Sequence, residues 1–595
     1  VEYCPAGAVK LGQKLCTKDG PVEYPRQELP DAAKWGPEKW AIDYRDKNRV
    51  NCYDTGTAPC KTACPAHIAV QGYLKLAAQG KYREALQLIK RENPFPAVCG
   101  RICNRRCEDA CTRGTVDQAV AIDEVKRFIA QQDLDAATRF VPEKVIPKVD
   151  GAFDQQIAII GGGPAGLSCA YYLAEKGYRP TVFEKERRLG GMLENGLPSF
   201  RLEKDVVQAE IDVLREMGVQ FRCGVEVGKD VTIAQLREQG YQGFYVAVGL
   251  QSGGKLDIPG GDAQGVTAGI DFMRRVNGGQ ETKLEGRVVV IGGGNIAADV
   301  ARTAVRCGAE SVDLYCLESY DDMPMGPEDR GECERDGIII HAGWGQTEIV
   351  TENGHAAGIR FRKCLRVKND QGRFAPEFDD NDTCQAQCAA VLYCIGQKVD
   401  WRQLLTGTAV TFNPNGTAQV DPVTYQTAEP GIFAGGDAVT GQKFAIDAIA
   451  AGKEGAISLH RFVQKATLTI GRNRRQFVEL DKENALIPVG FDNTPRQQIG
   501  YNEALRRTFR DERIAFTAQQ VQKETARCLS CGASVVDPNK CIGCGVCTTK
   551  CAFDAIHLHR ERPECTHMIP AEDKMKAILP YMVKREIKIR KAGKK

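Results

Sequence analysis

Residues 157–166 read IAIIGGGPAG, a short apolar run that closes into three glycines and then opens a run of small residues. The same pattern returns at 288–297 as VVVIGGGNIA. In such a strand–turn–helix the first glycine makes the tight turn, the second lets backbone approach a pyrophosphate, and the third position allows close helix–strand packing. The helix N-terminus then turns free N–H groups and a positive dipole end toward the phosphates. Gly161, Gly163 and Gly166 fill these places in the first copy, with Pro164 and Ala165 at the helix start. Gly292, Gly294 and Ala297 fill them in the second, with Asn295 and Ile296 between. One such motif is weak evidence, but two predict an α/β fold with two Rossmann-like dinucleotide-binding domains.

The segments that follow each fingerprint separate their jobs. After the first, TVFEK (181–185) ends in Glu184 and Lys185, and a carboxylate there accepts hydrogen bonds from an adenosine ribose. Gly191 lies in the next loop, and PGIFAGGDAV (430–439) puts Gly436 and Asp437 where a flavoprotein of this kind binds the ribityl and pyrophosphate part of FAD. A helix opening at Ala445 and Ile446 then faces the isoalloxazine ring. After the second fingerprint comes VDLYCLES (312–319), where a 2′-phosphate site would want arginines and this chain has Cys316, Leu317 and Glu318. A carboxylate suits a free ribose diol and repels a phosphate, so NADH is expected over NADPH. Ile395 and Gly396 complete the expected nicotinamide site.

Composition narrows the class. A length of 595 residues implies several domains, and a net charge of +3 implies no nucleic-acid partner. No apolar run reaches the roughly 18 residues of a membrane span. The 25 cysteines are many, and most gather near the two ends of a large chain with nucleotide-binding motifs. That points to metal ligation in a cytoplasmic protein rather than to a disulfide framework. Isolated cysteines such as Cys169 and Cys223 are expected to be buried small hydrophobes. The seven histidines show no metal-ligand spacing, and no catalytic triad is present.

The chain divides by pattern. Residues 1–50 read as an arm; YCPAGAVKLG (3–12) looks like the tail of a ferredoxin repeat, and Val1 in place of Met suggests that sequence precedes it. Residues 51–145 have helical periodicity in VQGYLKLAAQGKYREALQLIKRE (70–92), broken at Gly80 and stopped by Pro94 and Pro96. A FAD domain is expected over 152–285 and 398–465, a nicotinamide domain over 286–397, and a polar connecting segment over 466–526. A ferredoxin-like module follows at 527–570, then a basic tail at 571–595, read as solvated.

The carboxyl-terminal module holds CIGCGVCTTKC, with Cys541, Cys544, Cys547 and Cys551 in the C-x2-C-x2-C-x3-C spacing of a bacterial [4Fe–4S] run. Zinc ribbons space two CxxC pairs much further apart. Cys528 and Cys531 form a CLSC pair upstream and Cys565 stands downstream, which leaves a second cluster in this module open.

The chain resembles the small subunit of bacterial glutamate synthase, the large subunit of NAD(P)H-dependent ferredoxin oxidoreductase, and the N-terminal half of dihydropyrimidine dehydrogenase. The resemblance covers about residues 50–465 and rests on CKTACPAHI, NPFPAVCGRIC, GGGPAGLSCAYYLAEKGY, GGNIAADVA, DDMPM, IGQ and GGDAV. It implies two N-terminal tetranuclear clusters drawn from Cys52, Cys60, Cys64, Cys99, Cys103, Cys107 and Cys111. Cys52, Cys60 and Cys111 match the first cluster, but the family's other cysteine falls on Thr55. Cys64, Cys103 and Cys107 match the second, whose acidic or amide ligand falls on Lys126, an ammonium that cannot ligate. Each site is short by one ligand, so either Cys99, Cys16 or Cys4 fills the gap or one of the two clusters is absent. Two to four clusters are thus expected in all.

A nicotinamide gives two electrons as a hydride, clusters accept one at a time, and a flavin converts between the two, so no side chain is required as acid, base or nucleophile. The expected function is an electron-transfer subunit of a hetero-oligomer, passing electrons between NADH, FAD, clusters and a partner. Ferredoxin, hydrogenase, formate dehydrogenase or a similar redox protein would serve, and the resemblance allows electron bifurcation. The alternatives are a glutamate synthase small subunit feeding a glutamine-dependent partner, and a non-catalytic cluster-bearing scaffold.

Overall fold

The computed structural model describes residues 9–11, 15–17, 20–21, 57–143, 153–280, 282–470, 472, 482, 487–488, 491–531, 534–536, 542–550, 558 and 571–592. They fall into two compact units. The larger comprises Lys14–Glu28 and Tyr53–Ala533, and the smaller Val1–Gln13, Leu29–Cys52 and Ser534–Lys595.

In the larger unit the strand Gln156–Ile160 sits at the centre of a five-stranded parallel sheet. The order is Ile432–Ala434, Tyr241–Val246, Gln156–Ile160, Thr181–Glu184, Gln220–Cys223. Ile157 to Ile160 are buried, as a continuous apolar run covered on both faces requires. The helix Pro164–Glu175 packs against Ala445–Val463. A Cβ on Gly452 would stand 2.3 Å from the Ala165 carbonyl oxygen, and Ser168 Oγ donates to the Ile449 carbonyl at 2.8 Å. That close approach draws the start of the later helix to the first fingerprint.

The second fingerprint strand, Arg287–Ile291, is likewise central in a parallel sheet ordered Ile339–Ala342, Ser311–Cys316, Arg287–Ile291, Ala390–Tyr393, Val266–Ala268. An antiparallel meander, Trp344–Glu352, His355–Lys368 and Phe374–Gln387, is inserted between Ile339–Ala342 and Ala390–Tyr393. Val266–Ala268 pairs with Ala390–Tyr393, so the expected boundary at 285/286 lies too late. The edge strand and the helix Gly269–Asn277 belong with the second sheet, because a short apolar strand carries no mark of which sheet it joins.

The helical domain contains Val70–Ala78, Tyr82–Lys90, Pro96–Ile102 and Ile122–Ala130. Gly80 adopts φ +72° between the first two, as expected of the break. Pro96 does more than stop a helix: it opens one at the first position, where its missing N–H costs nothing. The start of that helix is held by Glu210, from the helix Lys204–Glu216 of the first dinucleotide domain. Its carboxylate accepts the Ala97 N–H at 2.7 Å and the Val98 N–H at 2.9 Å.

Three expectations need correction. The segment after 466 is no passive connector: Phe516, Val521, Glu524 and Arg527 are buried in it. The ferredoxin-like module begins later than 527, because Cys528 and Cys531 lie within the larger unit, which runs to Ala533. Cys223 is exposed at a sheet edge, although Cys169 is fully buried. In the smaller unit Val9–Leu11 pairs antiparallel with Ser534–Val536, and the basic tail forms an exposed helix, Lys574–Ala592. Among the described residues no helix is long and apolar enough to cross a membrane.

Glu210→Ala is expected to leave two buried N–H groups unpaired and to destabilise the larger unit by about 2–4 kcal/mol. Denaturant unfolding of the variant beside the wild type measures the loss.

Candidate functional site

A cavity of about 590 Å3 opens over the first fingerprint. Gly161, Gly163, Pro164, Ala165, Glu184, Lys185, Gly191, Gly436, Asp437 and Ala445 line it; Gly166 and Ile446 do not. The reason for Gly166 is packing: a Cβ there would stand 2.0 Å from the Gly161 carbonyl oxygen. Gly161 itself, at φ +110°, has the Ala247 carbonyl oxygen 2.4 Å from any added Cβ. Glu184 is buried and accepts the Gly162 N–H at 2.6 Å and the Glu186 N–H at 2.9 Å. Burial pushes its carboxyl up while those two N–H groups pull it down.

A second cavity of about 410 Å3 lies over the other fingerprint, lined by Gly294, Asn295, Ile296, Ala297, Glu318 and Gly396 among others. Gly292 and Ile395 stay outside it; Gly292, at φ +137°, packs against the Cys394 carbonyl. Glu318 Oε2 stands 2.7 Å from where a Gly293 Cβ would be, as Glu184 Oε2 stands 3.1 Å from that place on Gly162. The two carboxylates therefore occupy matching positions over matching glycines. The DDMPM stretch folds onto the same loop: the Met325 N–H donates to the Gly293 carbonyl at 2.9 Å, and Pro324 lines the cavity.

Both cavities share Ile270, Asn295, Ile296, Gln397, Gln442, Lys443 and Phe444 in their linings, so they meet where flavin and nicotinamide rings would face each other. Gln442 to Phe444, Ile270 and Gln397 escaped the sequence reading, since no motif marks them. Gln397 Nε2 is buried there without a hydrogen-bond partner, an orphan donor that fits a bound polar ring. With the glycine cradles and paired carboxylates, these residues fit FAD in the first cavity and a nicotinamide nucleotide in the second.

The helical domain reaches this junction. Ile102 lines the first cavity, and Arg106 makes a bidentate pair with Asp447 at 3.0 and 3.1 Å while lying over the Phe444 ring. Cys103 and Cys107 directly follow these two residues. Cys64, Cys99, Cys103 and Cys107 all interact with buried Lys126, which is paired with Asp123. Burial pushes all four thiols up, and the Lys126 ammonium offsets only part of that rise. Cys99 is thus the fourth sulfur beside the position where the expected carboxyl or amide ligand is replaced by lysine.

Cys60 and Cys111 face a different group, Cys528 and Cys531, which sequence proximity alone assigns to the carboxyl-terminal module. Among the described residues no three His, Cys, Asp or Glu side chains converge as ligands of a single metal ion. Cys544 is exposed and Cys547 half-buried in the smaller unit. Cys4, Cys52, Thr55, Cys541, Cys551 and Cys565 lie outside the described residues, and Cys16 is described only as part of the strand Leu15–Thr17.

Comparison with known proteins agrees with this layout. Residues 155–452 match the pyridine nucleotide-disulphide oxidoreductase family. Residues 44–138 match the dihydropyrimidine dehydrogenase domain II 4Fe–4S family, and 534–557 a 4Fe–4S binding domain. The NADP(+)-dependent formate dehydrogenase subunit beta of Moorella thermoacetica is 34% identical over 504 residues, covering 80% of this chain and 70% of that one. The NADPH-Fe(3+) oxidoreductase subunit beta of Geobacter sulfurreducens is 30% identical, covering 80% and 75%. The glutamate synthase [NADPH] small chain of Escherichia coli is 31% identical, covering 69% and 90%.

Asp437 gives a pH test of the flavin cavity. Burial pushes its carboxyl up to about 7, against the pull of the Lys443 N–H at 3.2 Å. Unfolded, it ionises near 3.8, so between that pH and about 7 the unfolded state holds the charge and the folded state the proton. Stability therefore falls as pH rises through this window. In flavin-free protein, Asp437→Asn is expected to be more stable than wild type at pH 8, by on the order of 2–4 kcal/mol, with the gap closing toward pH 4. Denaturation curves at the two pH values measure it.

Proposed function

This chain belongs to the pyridine nucleotide-disulphide oxidoreductase family, and from that premise we propose that it is the nicotinamide-oxidising, electron-transferring subunit of a larger redox complex. The observation that carries the reading is the shared lining of the two dinucleotide cavities, with the cysteine-bearing helices at the same junction. FAD, when bound, supplies the exchange between hydride and single-electron chemistry. The chain's part is to position and to insulate. Glu184 and the first glycine loop hold the flavin's adenosine end, while Asp437 and the start of the helix Ala445–Val463 face its other end. Phe444, Ile270 and Ile296 supply the apolar part of the junction, and the Arg106–Asp447 pair fixes the cysteine-bearing segment beside it.

The proposed partner is a protein with its own terminal redox centre, the arrangement that the printed names of the formate dehydrogenase and glutamate synthase relatives describe for those proteins. For the nucleotide we propose NADH. The Glu318 carboxylate over Gly293 repeats the geometry of Glu184 over Gly162, which suits an unphosphorylated ribose. Cys316 and Leu317 supply no positive charge beside it. The second reading is NADPH, the nucleotide named for the relatives, and it has Lys363 to draw on. That ammonium stands 3.2 Å from where a Gly343 Cβ would be, and the Gly343 N–H donates to the Glu318 carbonyl.

Anaerobic flavin reduction by each nucleotide separates the two. NADH is expected to have the higher kcat/KM by roughly tenfold or more, the equivalent of about 1.4 kcal/mol. Leu317→Arg combined with Glu318→Ala is expected to reverse the order. Equal or better reduction by NADPH in the wild type overturns the NADH proposal while leaving the electron-transfer reading intact.

A further inference from the structure

The carboxyl-terminal CLSC loop is built into the helical domain far upstream of it in sequence. Its helix, Ala518–Ala526, packs on Val70–Ala78 and Ile122–Ala130. Arg527, fully buried, donates to the carbonyls of Gln118 at 2.6 Å, Ala119 at 3.2 Å and Thr494 at 2.9 Å, and to Asp117 and Glu524. In return the Arg527 carbonyl accepts from Arg113 at 3.1 Å, and the Cys531 carbonyl accepts from Gln71. These bonds pin the Arg527 end of the loop against the segment that carries Cys111 and the Cys531 end against the helix Val70–Ala78.

Within the loop, Ser530 takes a left-handed turn at φ +53°, and its N–H points at the Cys528 sulfur. Cys60 has Cys528, Cys111 and Cys531 as its charge neighbours. Cys528 in turn has Cys531 and Cys111. Next to Cys111, Thr112 is buried, and its hydroxyl stands beside the Cys531 thiol without a hydrogen bond of good geometry. A buried donor without an acceptor is costly, and a ligand that brings acceptor atoms relieves it.

We propose that Cys60, Cys111, Cys528 and Cys531 are the four ligands of one [4Fe–4S] cluster in the helical domain, with the CLSC loop supplying two ligands in place of the family's positions at Cys52 and Thr55. The proposal rests on the family reading that this domain carries clusters. It moves Cys528 and Cys531 out of the ferredoxin-like module and makes that module a one-run site around Cys541 to Cys551. It also gives the Arg113–Asp117–Arg527–Glu524 network, buried except at Asp117, a purpose, which is to hold two cysteines from the far end of the chain at a fixed place beside Cys60 and Cys111.

The test uses the full chain, purified anaerobically, with iron and zinc counts, flavin content and low-temperature EPR of the reduced protein. Cys528→Ser and Cys531→Ser are expected either to lose one cluster, about four irons per chain, or to shift one EPR signal through an oxygen ligand. Cys60→Ser is expected to act on that same signal, Cys544→Ser on a different one, and Cys52→Ser on neither. Retained flavin shows that each variant has folded; should a serine variant fail that check, the corresponding alanine variants and the wild-type metal count still decide. Three results overturn the proposal: Cys528→Ser and Cys544→Ser removing the same signal, Cys52→Ser rather than Cys528→Ser removing the Cys60 signal, or zinc in place of iron. Wild-type iron that accounts for the Cys541–Cys551 run alone would instead overturn the underlying cluster reading of the domain.

Discussion

A single buried carboxylate ties three distant stretches of the larger unit together. Glu524 has no exposed surface, and its two oxygens accept the Ala121 N–H, the Gln497 N–H and a guanidinium N–H of Arg527, each at 2.7 Å. Those donors come from three stretches of chain that share no local sequence relation. A carboxylate withdrawn from water needs hydrogen-bond donors on both oxygens, so these three donors are required together. The helical domain, the segment after 491 and the CLSC loop are thereby held to one register.

The same segment continues outward to the other domains. Arg513 donates to the carbonyls of Arg101 at 3.1 Å and Arg201 at 2.8 Å, and Arg335 pairs with Glu503 and Glu512. Arg306 donates to the Thr508 carbonyl at 2.8 Å. A stretch without a recognisable motif thus contacts the helical domain and both dinucleotide domains. Rigid spacing between redox centres requires such ties, because interfaces inside a chain otherwise allow relative domain motion.

The dinucleotide cavities were legible from the sequence because their chemistry is local. Strand, glycine turn and helix follow one another within ten residues, and the carboxylate that reads the ribose comes at the end of the next strand. Glu184 and Glu318 accordingly stand where the pattern puts them. The junction between the cavities was not legible. Ile270, Gln397 and Gln442 to Phe444 come from separate loops, and only the packing of Pro164–Glu175 on Ala445–Val463 brings the last of them to the first fingerprint. The boundary near 266 was missed for a related reason: a three-residue strand is too short to show its sheet.

By itself the sequence determined which local units exist: two glycine-turned parallel sheets, a helical cysteine domain, and a cysteine run with ferredoxin spacing. Each of these is encoded in residues close together along the chain, where hydrogen-bond geometry and hydrophobic period leave few options. Which cysteines stand together was decided by the tertiary structure alone. Cys528 and Cys531 read as partners of the run that follows them, and they stand instead beside Cys60 and Cys111. Spacing reports only the reach of a short loop, whereas the buried Arg527–Glu524 pair and the backbone groups it satisfies set where that loop is anchored.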